Sequence, residues 1–313
     1  MIKVCFLGTP EFAATHLKYL LSDVNFQVVG VVTQPDRPAG RKMLLTPSAV
    51  KTLALENKIL VLTPENLRKE PEVFAEIKKW SADVAVVVAF GQILSQEFLD
   101  SFKFGAVNVH GSLLPKWRGA APIQRAIEAG DAITGVCLQK MVKKLDAGPL
   151  IGERQINLDS NTTATDLYGK LALLGCELLK TDLVDYIHGT RTLILQDESL
   201  VTLASKIEKE ESHIQWNSTA EKIHNKVRAF SMGPGTYCLL QGKRLKIHKT
   251  KVIESSGAKN RTGLVVAVDA EKLLLQTSVG ILALLEVQPE SKSKISISDF
   301  LKSHSFKIGD SFE

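Results

Sequence analysis

The chain has 313 residues, 44% of them hydrophobic and 23% charged, with a formal net charge of +5. This is the composition of a globular protein, and the length suits two domains better than one core. The longest apolar run, VAVVVAF at 84–90, is far short of the roughly 20 residues that a membrane-spanning helix needs, so no membrane partner is expected.

The first residues, MIKVCFLG, read as a buried strand at 2–7 rather than as a charged-then-apolar leader, and a cytoplasmic protein is expected. A polar turn, Gly8-Thr9-Pro10-Glu11, leads into a helix over 12–21, where Phe12, Leu17, Leu20 and Leu21 recur at helical spacing. A second apolar strand follows at 26–33, then the polar loop QPDRPAGRKMLLTPS. Helix at 49–56, strand at 59–62, helix at 70–80 and strand at 84–89 continue the alternation. Valine runs that do not alternate with polar residues, separated by helices, predict a doubly wound, mostly parallel sheet covered on both faces. Such sheets bind ligands beyond the carboxyl ends of their strands. The first turn is GTPEF and not GxGxxG, which argues against a dinucleotide cofactor despite the Rossmann-like pattern.

A further strand, GAVNVH at 105–110, precedes a loop rich in Pro and Gly; strands at 133–139 and 150–156 come next. The stretch 163–183 reads as one long helix carrying Leu167, Leu171, Leu174, Leu178 and Leu179 on a stripe. The pattern then changes. After a short helix at 220–229, with Ile223 and Val227 facing inward, five short strands are expected at 236–240, 245–252, 262–267, 273–277 and 280–287. Five short strands packed between 236 and 287 suggest a small β-barrel of the oligonucleotide-binding (OB-like) type. The expected organisation is an α/β domain over 1–188, a connector over 189–205 and an OB-like domain over 206–313, in a monomer. The cysteines Cys5, Cys137, Cys176 and Cys238 are scattered, with no CxxC pair. They read as small buried residues rather than disulfides or metal ligands, and no metal is expected.

Charge is unevenly placed. Residues 1–204 hold 22 Lys and Arg against 22 Asp and Glu, so the whole positive excess lies beyond them. Between 222 and 261 there are ten basic residues and one acid, Glu254. A basic module beside a neutral one suits a polyanion such as nucleic acid; a merely solvated positive face is the alternative.

Three residues of the neutral part carry candidate chemistry. Asn108 and His110 stand two apart at the end of an apolar strand, hence on one side of the sheet, and Asp146 sits in the turn Leu145-Asp146-Ala147-Gly148. An amide N–H can hold the oxyanion formed when a carbonyl is attacked. An imidazole can donate or carry a proton, and a carboxylate can fix its tautomer. Strand capping is the plainer alternative for Asn108 and His110. No nucleophilic Ser or Cys is evident, since Ser112 lacks a GxSxG elbow, so direct attack without a covalent enzyme intermediate is expected.

These residues lie in NVHGSLLPKWRGAAPIQ at 108–124, which closely resembles the signature of the 10-formyltetrahydrofolate-dependent formyltransferases. GTPEF at 8–12, TQPDRPAGR at 33–41, VVAFGQIL at 87–94 and LDAGPLI at 145–151 stand in the same order as in that family, and ASKIEKEE, IQW and RAF match beyond 203. The resemblance implies 10-formyltetrahydrofolate as co-substrate and Asn108, His110 and Asp146 as the catalytic trio. It implies a folate site at Phe90, Gly91, Ile93, Ser112, Leu113, Leu114 and Pro115. It further implies initiator methionyl-tRNA as acceptor, with Arg37, Arg41 and Lys42 approaching the acceptor end and a tRNA-binding second domain. The chain departs from the family after RAF, where Ser231-Met232-Gly233-Pro234-Gly235 replaces the usual NPWPG. Two other readings remain: a formyltransferase acting on a small amine, such as an amino sugar or purine precursor, and a non-catalytic RNA-binding protein.

Overall fold

The computed structural model describes residues 1–40, 43–258 and 260–313. In chain order the first half contains β1 (Ile2–Gly8), α1 (Glu11–Ser22), β2 (Phe26–Val32), β3 (Arg37–Ala39), β4 (Leu44–Thr46), α2 (Ala49–Glu56), β5 (Val61–Leu62), α3 (Pro71–Lys79), β6 (Val84–Val88), α4 (Gln96–Asp100), β7 (Ala106–His110), β8 (Arg118–Gly119) and α5 (Pro122–Ala129). Then come β9 (Ile133–Lys140), β10 (Leu150–Asn157), α6 (Ala164–Leu178), α7 (Val184–Ile187), β11 (Leu203–Ala204), α8 (Ala220–Ala229), β12 (Thr236–Leu240), β13 (Lys243–Ala258), β14 (Val265–Val268), β15 (Leu273–Gln276), β16 (Val279–Pro289), β17 (Ile295–Ser296) and α9 (Ile297–Leu301). They form two compact units. One comprises Met1–Pro122, Thr134–Ile156 and Tyr168–Ala204; the other comprises Ile123–Ile133, Asn157–Leu167 and Ser205–Glu313.

The first unit is built on a seven-stranded sheet in the order β10-β9-β7-β6-β1-β2-β5. Its centre is parallel, with β1 paired to β2 and β6, and β6 to β7. Val4 to Leu7 on β1 and all of β6 are buried. Burial on both faces is why these strands read as continuous apolar runs. Beyond β7 the sheet turns antiparallel, because β9 runs against β7. Helix α2 starts at Ser48, whose hydroxyl accepts the Lys51 N–H at 3.0 Å. The polar loop after β2 holds a short hairpin, β3 against β4, which no alternation of polar and apolar residues announced. The helix expected over 163–183 ends at Leu178 and passes into a π-helical turn, Leu179–Leu183. That turn carries buried Asp182, which pairs with Arg154 at 2.7 Å and with Arg191. The expected connector is hydrogen-bonded to the first unit along most of its length: the Ile194 N–H donates to the Leu150 carbonyl, and β11 pairs with β8.

His16 of α1 is fully buried, and its Nδ1–H donates to the Phe12 carbonyl at 2.7 Å. Among the described residues its Nε2 has no hydrogen-bond partner, and it faces Gly175, where an added Cβ would lie 2.2 Å away. Burial pushes this imidazole down to about 4. The unfolded chain therefore takes up a proton near pH 6.5 that the folded chain refuses until about pH 4, so stability falls as pH drops through that window. At about 1.4 kcal/mol per pH unit, the loss from this group is about 2 kcal/mol at pH 5. Urea unfolding at pH 7 and pH 5 should show a difference that is smaller by that amount in His16→Gln. An unchanged difference would show that the imidazole is not kept neutral.

In the second unit, β12-β13-β16-β15-β14 form an antiparallel sheet, with β17 on β16. Its C-terminal segment runs along both edges: Val265 N–H donates to the Asp310 carbonyl and Glu313 N–H to the Leu239 carbonyl. The C-terminal residues thus bridge the edge strands β14 and β12 and cover part of each edge. Ile223 and Val227 of α8 pack into a core with Trp216, Ile247, Leu273, Leu284 and Phe300. Segments 123–133 and 157–167 belong to this compact unit and are tied into it by two guanidinium groups, half-buried Arg125 and buried Arg228. Arg125 pairs with Glu211 at 2.8 Å and Glu128 at 2.6 Å, and Arg228 donates to the carbonyls of Asp159 and Thr162.

All four cysteines are free and buried; burial pushes Cys137 and Cys238 up to about 12 and Cys176 to about 11. Among the described residues no helix is long and apolar enough to cross a membrane.

Candidate active site

Strand β7 delivers Asn108 and His110 to the carboxyl end of the parallel part of the sheet. Its antiparallel neighbour β9 places Gln139 opposite Asn108 and Cys137 opposite His110. Residues directly opposed across such a pair share a face, so the Gln139 amide joins the polar groups at this edge. Asn108 and His110 are only 9% and 6% exposed. Among the described residues no hydrogen bond engages the Asn108 side chain, so its amide keeps its donors for a ligand.

Asp146 arrives from the turn between β9 and β10. Its φ is +47°, in the left-handed region that Asp tolerates better than most residues. The turn fits only because Gly148 lacks a Cβ, which would stand 1.7 Å from the Lys140 carbonyl oxygen. One carboxylate oxygen, Oδ2, accepts the Gly119 N–H at 2.9 Å and lies 3.7 Å from His110 Nδ1. The other accepts from Gln139 Nε2 at 3.1 Å. On the far side of the ring, His110 Nε2 is 2.9 Å from the Trp117 carbonyl. A carbonyl can only accept, so Nε2 carries the hydrogen and Nδ1 faces the carboxylate. Imidazole and carboxylate thus lie 3.7 Å apart, on the face of the sheet that Asn108 shares with His110, and at low exposure their electrostatic effects are larger than in water.

Residues 2–183 match the formyl transferase family and residues 206–305 match the formyl transferase C-terminal domain. The chain belongs to the formyl transferase family. Among its relatives, the methionyl-tRNA formyltransferase of Bdellovibrio bacteriovorus is 58% identical over 311 residues, covering 99% of this chain and 98% of that one. The methionyl-tRNA formyltransferase of Staphylococcus epidermidis is 39% identical over 302 residues, 96% of each. In three dimensions the chain is similar to WlaRD, a sugar 3N-formyl transferase solved in the presence of dTDP and 5-N-formyl-THF. The TM-score is 0.65 at 20% identity, with 94% of this chain and 99% of that one covered; at this identity the likeness carries the fold alone.

The other expected site residues of this formyl transferase are distributed as follows. Phe90 is buried just beyond β6, and its carbonyl accepts from Thr9 Oγ1 and Gln34 Nε2, both at 3.2 Å. Gly91 has φ +82° and Ile93 is 72% exposed. Leu113 and Pro115 are half-buried, whereas Leu114 is buried against Cys137 and Leu150. The Ser112 hydroxyl turns inward and donates to the Lys116 carbonyl at 2.7 Å, so it closes the 112–116 turn. Because β6 and β7 are parallel neighbours, both segments leave the same edge of the sheet as the trio. Arg37 lies on the exposed strand β3 and pairs with Glu65 at 2.9 Å. Arg41 and Lys42 lie outside the described residues. Three groups at the site had not been singled out in the sequence: Gln139, the Gly119 N–H, and Gln196, which donates to the carbonyls of Asp146 and Gly148 at 2.9 and 2.7 Å. Gln139 alone left a signal, as a polar residue in the otherwise apolar run GVCLQ.

Proposed function

We propose that this formyl transferase moves the formyl group of 10-formyltetrahydrofolate onto the α-amine of methionine carried by initiator tRNA. The observation that carries this reading is the 58% identity to a methionyl-tRNA formyltransferase over 99% of the chain, supported by the 3.7 Å approach of His110 and Asp146 on the face of β7 that also carries Asn108. An α-amine titrates near pH 7.7–8.0 and the adjacent ester lowers that further, so a neutral fraction exists without a strong base. The amine nitrogen attacks the formyl carbon, a C–N bond forms, and charge develops on the formyl oxygen. The Asn108 amide donates to that oxyanion. His110, paired through Asp146, relays one proton from the attacking nitrogen to N10 as the C–N10 bond breaks. Leu113, Pro115 and Ile93 offer apolar surface for the pterin, with the backbone of Phe90 and Gly91 beside them.

The basic excess beyond residue 204 and the loop after β2 supply the charge for tRNA. Replacing Arg37, Arg41 and Lys42 together with Ala should raise KM for the tRNA and reduce the slope of its salt dependence by about one counterion per lost phosphate contact. KM for the folate should not move; a parallel rise would remove the loop from the tRNA reading. Formylation of charged initiator tRNA, charged elongator tRNA and a nucleotide amino sugar, measured side by side, tests the function itself. Rapid transfer to initiator tRNA alone is expected. Preference for the sugar amine would overturn the proposal.

A further inference from the structure

We infer that Gln196 is a positioning residue for formyl transfer, acting through Asp146; the inference rests on the site reading given above. Gln196 belongs to the segment between α7 and β11, outside the sheet, yet its side chain is spent wholly on the catalytic turn and its neighbour. Both hydrogens of its amide are used on backbone carbonyls that bracket one residue, Asp146 at 2.9 Å and Gly148 at 2.7 Å. Its oxygen accepts from Arg118 twice, from Nε at 3.1 Å and from Nη2 at 2.8 Å. Arg118 is 3% exposed and also pairs with Glu198 at 2.8 Å. Its own backbone N–H is tied to the Thr202 carbonyl at 3.0 Å.

Arg118 is followed directly by Gly119, whose N–H holds the Asp146 carboxylate. The turn is thus gripped from two sides by one connected set: its backbone carbonyls by Gln196, its carboxylate by the amide next to Arg118. The geometry gives this grip a purpose. Asp146 has a left-handed backbone, and its carboxylate stands 3.7 Å from His110 Nδ1, so a rotation of the turn would move it relative to the ring. Misplacing a catalytic group by about 1 Å costs on the order of 10²-fold in rate. Gln196 does not touch the reacting atoms; it sets where Asp146 stands.

The test is a double-mutant cycle on the full chain, with formyl transfer to charged initiator tRNA as the readout and Tm measured for every variant. Gln196→Met keeps the side-chain length and removes both polar ends. It should lower kcat by about 10- to 100-fold with KM for both substrates within about twofold of wild type. Gln196→Glu retains the acceptor for Arg118 but faces two carbonyls with no hydrogen, and should not restore the rate. In the Asp146→Asn background the same Gln196→Met change should cost less than about threefold, because its route to the chemistry is already lost. Costs that multiply in full would overturn the inference while leaving the trio intact. So would wild-type kcat in Gln196→Glu, or failure of both Gln196 variants to fold. Undiminished turnover in Asp146→Asn alone would instead overturn the site reading, and the inference with it.

Discussion

Asn108→Ala is expected to lower kcat by about 10²- to 10³-fold, the usual cost of one oxyanion donor. Asn108 stands at the carboxyl edge of the sheet, 9% exposed, and among the described residues its amide spends no hydrogen bond on the protein. Truncation therefore leaves no buried partner unsatisfied, and unfolding midpoints should stay near those of the wild type. Because the charge on the formyl oxygen develops only during attack, the loss should fall on kcat and not on KM. Steady-state rates with charged initiator tRNA measure this. Turnover within threefold of wild type would remove Asn108 from the reaction.

Asp146→Asn is expected to cost more, on the order of 10³-fold or greater, by comparison with the roughly 10⁴-fold loss when a carboxylate that orients a catalytic imidazole becomes an amide. The carboxylate accepts the Gly119 N–H on one oxygen and the Gln139 amide on the other. An Asn has a single oxygen, so its NH₂ must meet one of those donors head-on. The charge opposite His110 Nδ1 disappears at the same time. Rate loss with circular dichroism and substrate KM unchanged would place the defect in the chemical step. A variant as active as wild type would mean that the imidazole needs no anionic neighbour.

The two effects differ in how far they were legible. Asn108 and His110 stand two apart at the end of an apolar run, so strand geometry alone sets them on one side of the sheet. The valine runs of β2 and β6 marked buried parallel strands for the same elementary reason. That Asp146 reaches His110 depends on β9 running back against β7, a pairing between segments almost thirty residues apart that local pattern does not encode. Gln196 is further removed: it lies in a polar stretch that reads as a connector, and only tertiary packing turns its amide onto the Asp146 turn. Arg125 and Arg228 make a similar point, because their ties to Glu211 and to the Thr162 carbonyl join segments far apart in the chain that local pattern does not connect. Ser112 was expected to face the folate. Its hydroxyl donates to the Lys116 carbonyl and the residue is fully buried, a role in the turn that the sequence does not announce.

The most direct measurement is a crystal structure of the full chain with a non-transferable formyl-folate analogue bound. The formyl oxygen should lie about 2.7–3.1 Å from the Asn108 amide nitrogen, with His110 and Asp146 on the side from which the amine must approach. A formyl group bound away from the carboxyl end of β7, out of reach of all three side chains, would contradict the account.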